Sequence, residues 1–341
     1  LNLPEPILIW GAGAIGGTLG AYFQRAGHPV VFVDSASEHV EAIRTRGLRI
    51  TGPLAEFTVQ APAHTPETLQ GRFHTVFLAV KAHHTPAALA QLEPHLEPRG
   101  FVVSAQNGLN EIEIAQAIGR ERTLGCFVNF GADYLEPGTI HYGGRGAVVV
   151  GELDGQITPR LEALHRLLQE FDEGALLTTN IWGYLWGKMA YGAQLFATAL
   201  TNASIAEAFA APEHHRLFIE LAREVLRVAA AQGIQPEAFN GFEPQAFAPD
   251  TPLEQAQQSL EAMAAHNRRS AKSHSGIWRD LAIRRRKTEV DAQLGPILRI
   301  GEGWGIPTPI TRRLIEMIHE VEAGTRPLDW SNLSELEKEL P

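Results

Sequence analysis

A chain of 341 residues exceeds the roughly 100 to 200 residues of a usual domain, so two domains and a sizeable core are expected. Its 29 basic and 39 acidic residues give a formal net charge of -10, which argues against nucleic acid as the main partner, because phosphate binding is driven by Lys and Arg. The single cysteine, Cys126, excludes an internal disulfide and no secretory segment opens the chain, so the expected setting is the reducing cytoplasm; separately, the opening at Leu1 rather than Met suggests trimming or an artificial boundary.

The chain begins with an apolar run at 7–10, a glycine-rich turn Gly11-Ala12-Gly13-Ala14-Ile15-Gly16, a helical stretch, a second apolar run at 30–33, and then Asp34. Strand, glycine turn, helix, strand and acid in this order form the opening of a dinucleotide-binding domain. Gly11 suits the tight turn, Gly13 lets the main chain approach a pyrophosphate, and Gly16 allows close helix–strand packing. The helix start that includes Ala14 and Ile15 turns free N–H groups toward the anion. Asp34 falls about 18 residues beyond Gly16, near the roughly 20 expected of an acid that binds the ribose. A carboxylate accepts hydrogen bonds from both ribose hydroxyls but repels a 2′-phosphate. NAD(H) is therefore expected over NADP(H), with Arg44 or Arg46 as the residues able to reverse the preference. The plainer alternative is a structural glycine turn followed by a surface acid.

Further strands at 75–80 and 101–104 alternate with helical stretches, which predicts a parallel sheet with helices on both faces. Lys81 follows the first of these strands and Asn107 the second, in the crevice at the carboxyl ends of parallel strands where ligands bind. A solvated lysine and a turn-forming Asn before Gly108 are the competing readings. Runs at 124–130, 139–142 and 147–150 lie close together, with Pro137-Gly138 and Gly143-Gly144 as turns, so the sheet is expected to end in an antiparallel extension. A helix is predicted at 158–171. Long helical stretches follow at 181–200, 213–231, 253–265, 288–300 and 310–322, so an all-helical domain at 180–341 is expected behind a dinucleotide-binding domain at 1–179. Residues 236–252, rich in Pro, Phe and Gly, read as an irregular loop.

Between Glu173 and Glu207 the only charged residue is Lys188, within Ile181-Trp182-Gly183-Tyr184-Leu185-Trp186-Gly187-Lys188-Met189-Ala190. The Gln, Asn and Thr residues around this run favour a buried helix over a membrane span. Desolvating an ammonium is costly, so Lys188 either snorkels to the surface or serves a function. Gly187 and Gly192, each less favourable in a helix than Ala by roughly 0.5–1 kcal/mol, suggest that space is kept beside it.

The basic run Arg284-Arg285-Arg286-Lys287 reads as a solvated face, with a substrate carboxylate or an acidic partner as the alternative. The adjacent pairs His83-His84 and His214-His215 do not share a helix face and lack ligand-like neighbours, so no metal is expected. Cys126, in an apolar run with no visible base, reads as a buried structural thiol.

Taken together, the glycine turn, Val80-Lys81-Ala82, Gln106-Asn107-Gly108, Trp186-Gly187-Lys188 and Thr288-Glu289-Val290-Asp291 resemble the ketopantoate reductase (2-dehydropantoate 2-reductase) family over nearly the whole chain. The resemblance implies a Rossmann domain, a helical domain and an active site between them. It makes Lys188 the catalytic lysine, which hydrogen-bonds the substrate carbonyl and donates a proton as hydride arrives, and as a cation stabilises the developing alkoxide. Glu289 becomes its acidic partner, Asn107 a contact to cofactor ribose and substrate, and Lys81 a neighbour of the cofactor. A serine shortly before the acid also belongs to the pattern. Ser273 and Ser275 both compete, and Ser275 is chosen on a one-residue shift in the spacing to Asp280.

Departures from the pattern carry information too. Gly192 and Phe196 stand where asparagines commonly contact substrate, so a less polar pocket is expected and ketopantoate itself is in question. Many members carry an arginine for the 2′-phosphate where this chain has Asp34. The expectation is thus an α/β protein, with a Rossmann-like doubly wound sheet, an antiparallel extension and an all-α C-terminal domain. It reduces a 2-oxo acid, ketopantoate or a related compound, to the 2-hydroxy acid with NAD(P)H. An NAD(H) sensor without catalysis and an enzyme acting on an imino or opine-type substrate are the alternatives. Neither a nucleic acid nor a membrane is expected as partner, and the resemblance makes a homodimer plausible.

Overall fold

Two faces of one sheet explain the first half of the chain. A computed structural model describes residues 3–269 and 273–341, and the Leu1 terminus lies outside them. Its elements begin with β1 (Ile7–Trp10), α1 (Ala14–Arg25), β2 (Val30–Val33), α2 (Ser37–Arg46), β3 (Leu48–Thr51), β4 (Phe57–Val59), β5 (Ala63–His64) and β6 (Phe73–Leu78). There follow α3 (Thr85–Leu92), β7 (Leu96–Ser104), α4 (Asn110–Ile118), β8 (Thr123–Val128), β9 (Gly131–Glu136), β10 (Thr139–Gly144), β11 (Val148–Glu152), α5 (Pro159–Gln169) and β12 (Leu176–Leu177). The larger sheet has eight strands in the order β12-β11-β8-β7-β6-β1-β2-β5.

Side chains alternate between the faces of a strand. Ile7 and Ile9 of β1 join Phe32, Phe77, Phe101 and Val103 in one core, where α1, α2 and α5 add Leu19, Phe23, Ile43 and Leu164. Leu8 and Trp10 join Val31, Val76, Leu78 and Val102 in the other, covered by Leu89 and Leu92 of α3 and Ile114 of α4. Burial on both faces is the reason these strands read as continuous apolar runs, and it matches a doubly wound parallel sheet.

β1 pairs in parallel with both β2 and β6, so the winding reverses between β1 and β6. That is the topological switch point, and the loops after these two strands frame the ligand crevice.

The antiparallel extension is present but is made differently from the sequence expectation. β11 pairs antiparallel with β8, and the short β12 then pairs in parallel with β11. The predicted run at 139–142 belongs instead to a separate four-stranded sheet, ordered β4-β3-β10-β9. Here β10 pairs in parallel with β3 and antiparallel with β9. Ile140 and Tyr142 of β10 are buried and join the core shared with α1, so this small sheet covers the far side of that helix. Gly17 makes the approach possible, since a Cβ there would collide with Ile140.

Contacts divide the chain into two compact units, Leu1–Ile181 and Trp182–Pro341. The second is helical: α6 (Ile181–Thr198), α7 (Ile205–Phe209), α8 (His215–Ala231), α9 (Leu253–Arg268), α10 (Gly276–Trp278), α11 (Val290–Gly303), α12 (Pro309–Glu322) and α13 (Ser331–Leu336). Within α6, Leu185, Trp186, Met189, Ala190 and Phe196 are buried, as a central helix requires. Among the described residues no helix is long and apolar enough to cross a membrane. The stretch 236–252 is irregular yet not solvent-borne. Phe242 and Phe247 stack with centroids 5.4 Å apart and are buried, so the loop contributes aromatic side chains to the core.

Candidate nucleotide-binding and catalytic residues

The glycine turn owes its shape to contacts that exclude any larger residue. Gly11 has φ +97°, and a Cβ on it would lie 2.8 Å from both the Ala79 carbonyl carbon and the Val80 nitrogen, on the chain leaving β6. Its N–H donates to the Val33 carbonyl at 2.8 Å. A Cβ on Gly16 would collide with the Gly11 carbonyl oxygen and lie 2.9 Å from the Ala79 Cβ, which explains the tight helix–strand packing. Gly13 differs, because a Cβ there would meet nothing within 4 Å. The main chain is therefore open at the one position where a pyrophosphate has to come close.

Ala14, Ile15 and Gly16 form the first turn of α1. Gly13 supplies no side-chain cap, and the turn holds no acidic residue. Orphan N–H groups and the positive end of the helix dipole make such a start an anion site. The buried Ala12 donates its N–H to Asp34 Oδ2 at 3.0 Å, while Asp34 Oδ1 accepts from the Ala36 N–H at 2.9 Å. Turn and acid are thus directly joined, and the residues present fit a dinucleotide.

The surroundings of Asp34 are negative. Burial first, and then the charges of Asp34, Glu38 and Glu136, hold the Tyr134 hydroxyl above the ordinary phenol range. Arg44 and Arg46 sit at the far end of α2, about 10 Å or more along the helix axis from Ser37. Arg44 lies 3.9 Å from Glu41, and Arg46 donates to the Pro137 carbonyl at 3.2 Å.

The loops after β6 and β7 carry Lys81 and Asn107. Lys81 is half-buried at the start of the short helical turn Ala82–His84, and Asn107 is exposed beside Gly108, whose φ is +104°. A polar network joins the two loops. Gln106 Nε2 donates to the Val80 carbonyl and to Thr85 Oγ1, each at 2.9 Å. Thr85 Oγ1 in turn donates to Asn110 Oδ1 at 2.9 Å, and Asn110 Nδ2 donates to the Asn107 carbonyl at 2.8 Å. Gln106, Thr85 and Asn110 were not singled out from sequence, although Gln106 lies within the Gln106-Asn107-Gly108 motif. Their burial is the only added signal, and it is invisible without the fold.

In the helical unit Lys188 is half-buried on α6, between buried Trp186 and Met189. The reading of Gly187 as space kept beside the lysine is corrected. A Cβ on Gly187 would lie 2.6 Å from the Glu237 carbonyl oxygen, and the Glu237 N–H donates to the Gly183 carbonyl at 3.0 Å, so Gly187 makes room for a backbone crossing. Gly192, one turn after Lys188, has open space at its Cβ position. Phe196, a turn further on, is a fully buried core side chain.

Ser275 is buried and caps α10, its Oγ accepting from the Trp278 N–H at 3.1 Å; the hydroxyl hydrogen remains available to donate elsewhere. Ser273 is exposed, with its Oγ 2.8 Å from His274 Nδ1. Between Ser275 and Glu289 the chain makes a π-helical turn, Arg279–Ile283, with an i to i+5 bond from the Arg284 N–H to the Arg279 carbonyl at 2.9 Å. Such a turn takes up one residue more than an α-turn, and it places Asp280 in its first residues, where Arg284 and Arg286 reach it.

Half-buried Glu289 stands at the cap position of α11. Its neighbour Thr288 is latched to α12 by its N–H and Oγ1, both donating to Glu322 Oε1 at 2.7 Å. This latch fixes the main chain that carries Glu289.

The basic run is exposed, and Arg284 and Arg286 both pair with the buried Asp280, at 2.9 and 2.8 Å. His214 pairs with Glu337 at 2.7 Å, and His215 contacts the Phe209 carbonyl at 2.9 Å. Among the described residues no group of three or more His, Cys, Asp or Glu side chains is placed to hold a metal ion. Cys126 is buried on β8.

Residues 7–155 match the family described as Ketopantoate reductase PanE/ApbA, and residues 180–322 match its C-terminal counterpart. A 2-dehydropantoate 2-reductase of Archaeoglobus fulgidus is 30% identical over 322 residues, covering 94% of this chain and 99% of that protein. Among solved structures, a D-mandelate dehydrogenase with NADH and anilino(oxo)acetate superposes with a TM-score of 0.80 at 22% identity, over 94% of this chain and 99% of the other. A 2-dehydropantoate 2-reductase from Geobacter metallireducens gives a TM-score of 0.78 at 24% identity, over 92% and 99%.

Proposed function

The chain belongs to the ketopantoate reductase PanE/ApbA family of NAD(P)-dependent oxidoreductases, and from that premise we propose that it reduces a 2-oxo acid to the 2-hydroxy acid, with NADH preferred over NADPH and Lys188 as the proton donor. A bound nicotinamide supplies the hydride. Lys188 holds the proton at Nζ, donates a hydrogen bond to the substrate carbonyl oxygen, and passes the proton to it as negative charge develops there. The Ser275 hydroxyl donates to the substrate, Glu289 compensates the ammonium and orients substrate, and Asn107 contacts the cofactor ribose and the substrate. Lys81 lies near the cofactor, and the turn residues Gly11, Ala12, Gly13, Ala14, Ile15 and Gly16 cradle the pyrophosphate.

The observation that carries this reading is the glycine turn closed on Asp34 by the 3.0 Å bond from the Ala12 N–H, in a member of this family. The preference for NADH is supported by the carboxylate at Asp34, the further negative charge of Glu38 and Glu136, and the engagement of Arg44 with Glu41 and of Arg46 with the Pro137 carbonyl. A D-mandelate dehydrogenase of the same fold, seen with NADH and anilino(oxo)acetate, provides a precedent for a bulky oxo acid. Gly192, with open space where the family commonly has an asparagine, supports a substrate with an apolar side chain beside ketopantoate itself. A panel of 2-oxo acids, ketopantoate and aromatic ones included, run with NADH and NADPH side by side, tests substrate and cofactor together. Higher kcat/KM with NADPH across the panel would refute the Asp34 argument, and no turnover with any oxo acid would refute the reaction.

A further inference from the structure

The Ala12–Gly13 segment is pinned from two directions, and only one of them involves Asp34. His39 on α2 is 1% exposed. Its Nε2 lies 2.8 Å from the Ala12 carbonyl oxygen, and its Nδ1 lies 2.9 Å from the Gly138 nitrogen, in the turn between β9 and β10. A backbone N–H can only donate, so Nδ1 is the acceptor and the proton resides on Nε2, which donates to the Ala12 carbonyl. Both bonds together require this neutral tautomer. The ring is further held by Tyr134, edge-on with centroids 5.1 Å apart.

The consequence follows from peptide geometry. In a trans peptide the carbonyl and the following N–H point in opposite directions. Drawing the Ala12 carbonyl toward His39 therefore sends the Gly13 N–H the other way. Asp34 fixes the preceding peptide through the Ala12 N–H, so the two peptides that flank Ala12 have separate anchors. Gly13 has no side chain to restrict rotation, which leaves its peptide dependent on the outside anchor.

We propose that His39 is a positioning residue for the cofactor: it holds the Ala12–Gly13 peptide so that the Gly13 N–H faces the pyrophosphate, and so makes the small second sheet a support of the nucleotide site. This rests on the nucleotide-binding reading given above. Two substitutions separate the bonds. His39→Gln keeps a donor near the Nε2 position and can still reach the Ala12 carbonyl, whereas His39→Asn keeps only an acceptor near the Nδ1 position for Gly138.

Titration of NADH fluorescence against the full chain is expected to show His39→Asn weakening binding by about tenfold and His39→Gln by clearly less, although both lower the Tm to a similar extent. Equal NADH affinities in the two variants would overturn the positioning role, since a purely structural histidine predicts affinity that tracks Tm. Failure of the unaltered chain to bind NADH overturns the nucleotide reading and this inference with it. Nitrogen-15 shifts of the His39 ring in the unaltered chain give an arm that needs no variant. A proton on Nε2 is expected, and a protonated Nδ1 refutes the arrangement.

Discussion

In the nucleotide-binding half the candidate site is made largely of backbone: Gly11 at φ +97°, the open Gly13, the uncapped start of α1, and the Ala12 N–H bound to Asp34. In the helical half the candidate groups are side chains, Lys188, Ser275 and Glu289, carried on α6, the start of α10 and the start of α11. Backbone sites demand particular residues at fixed spacing, because only glycine tolerates the turn. Side-chain sites demand only that a helix present the right group, and the surrounding helix is free to vary. The first half is thus expected to govern affinity for the cofactor, and the second half turnover.

Lys188→Ala gives the largest expected separation of the two. Loss of a positioned acid that also stabilises alkoxide charge should lower kcat by about 10²- to 10⁴-fold. NADH affinity, measured by fluorescence titration, should stay within a few-fold of the unaltered chain. Retained turnover would remove the lysine from the mechanism, and a parallel loss of NADH binding would break the division between halves.

Gly11→Ala and Gly13→Ala divide the backbone site itself. At Gly11 the positive φ and the 2.8 Å approach to Ala79 and Val80 make Ala a folding defect, expected to lower the Tm sharply. At Gly13 the added methyl meets no protein atom within 4 Å, so the fold should persist while the pyrophosphate loses its approach. A Kd for NADH raised by about tenfold or more, at nearly constant Tm, is the expected signature. A Gly13→Ala protein that binds NADH normally places the pyrophosphate elsewhere.

These contrasts also account for what was legible in the sequence. The runs at 7–10 and 30–33 coincide with β1 and β2 because a strand buried on both faces has to be apolar throughout. The second sheet is not legible because β3 and β9 carry Arg49, Asp133 and Glu136 on short, partly exposed strands, so the run at 139–142 reads as part of the main sheet instead. Lys188 stood out as the one charge in an apolar stretch, yet its role, and those of Ser275 and Glu289, came only from the family resemblance. His39 lies in Ser37-Glu38-His39-Val40, an ordinary amphipathic helix start, and its importance arises from Gly138, 99 residues away in the chain. Gly187 shows a related limit, since the backbone that makes it necessary comes from Glu237 in an irregular loop.

Asp34→Asn sharpens the cofactor half of the comparison with a smaller effect. The amide oxygen can still accept from the Ala12 N–H, so the turn should keep its shape, while the charge that opposes a 2′-phosphate disappears. The ratio of NADPH to NADH in kcat/KM is expected to rise by about tenfold. An unchanged ratio would mean that the carboxylate does not set the preference.

The smallest effect concerns stability and belongs to the helical half. Glu335 on α13 accepts from Arg326 at 2.9 and 3.0 Å and from Arg313 at 2.6 Å, and the same arginines reach Glu320 on α12. Hydrogen bonds from Arg326 and then Arg313 hold the Glu335 carboxyl at about 2, below its ordinary 4.5. Because the folded value is depressed, the stabilisation is fully present above about 4.5 and is lost as the pH falls toward about 2. The side chain is 34% exposed, so solvent screening limits the contribution to about 1 kcal/mol or less. Glu335→Gln should therefore lower the Tm slightly at neutral pH and flatten its decline between pH 4.5 and 2, measured by calorimetry. NADH affinity at neutral pH should be unaffected, since the network lies wholly in the helical unit. Acid slopes that coincide for the two proteins would show that the network carries no net stability, and a change in NADH affinity would break the assignment of cofactor affinity to the first half alone.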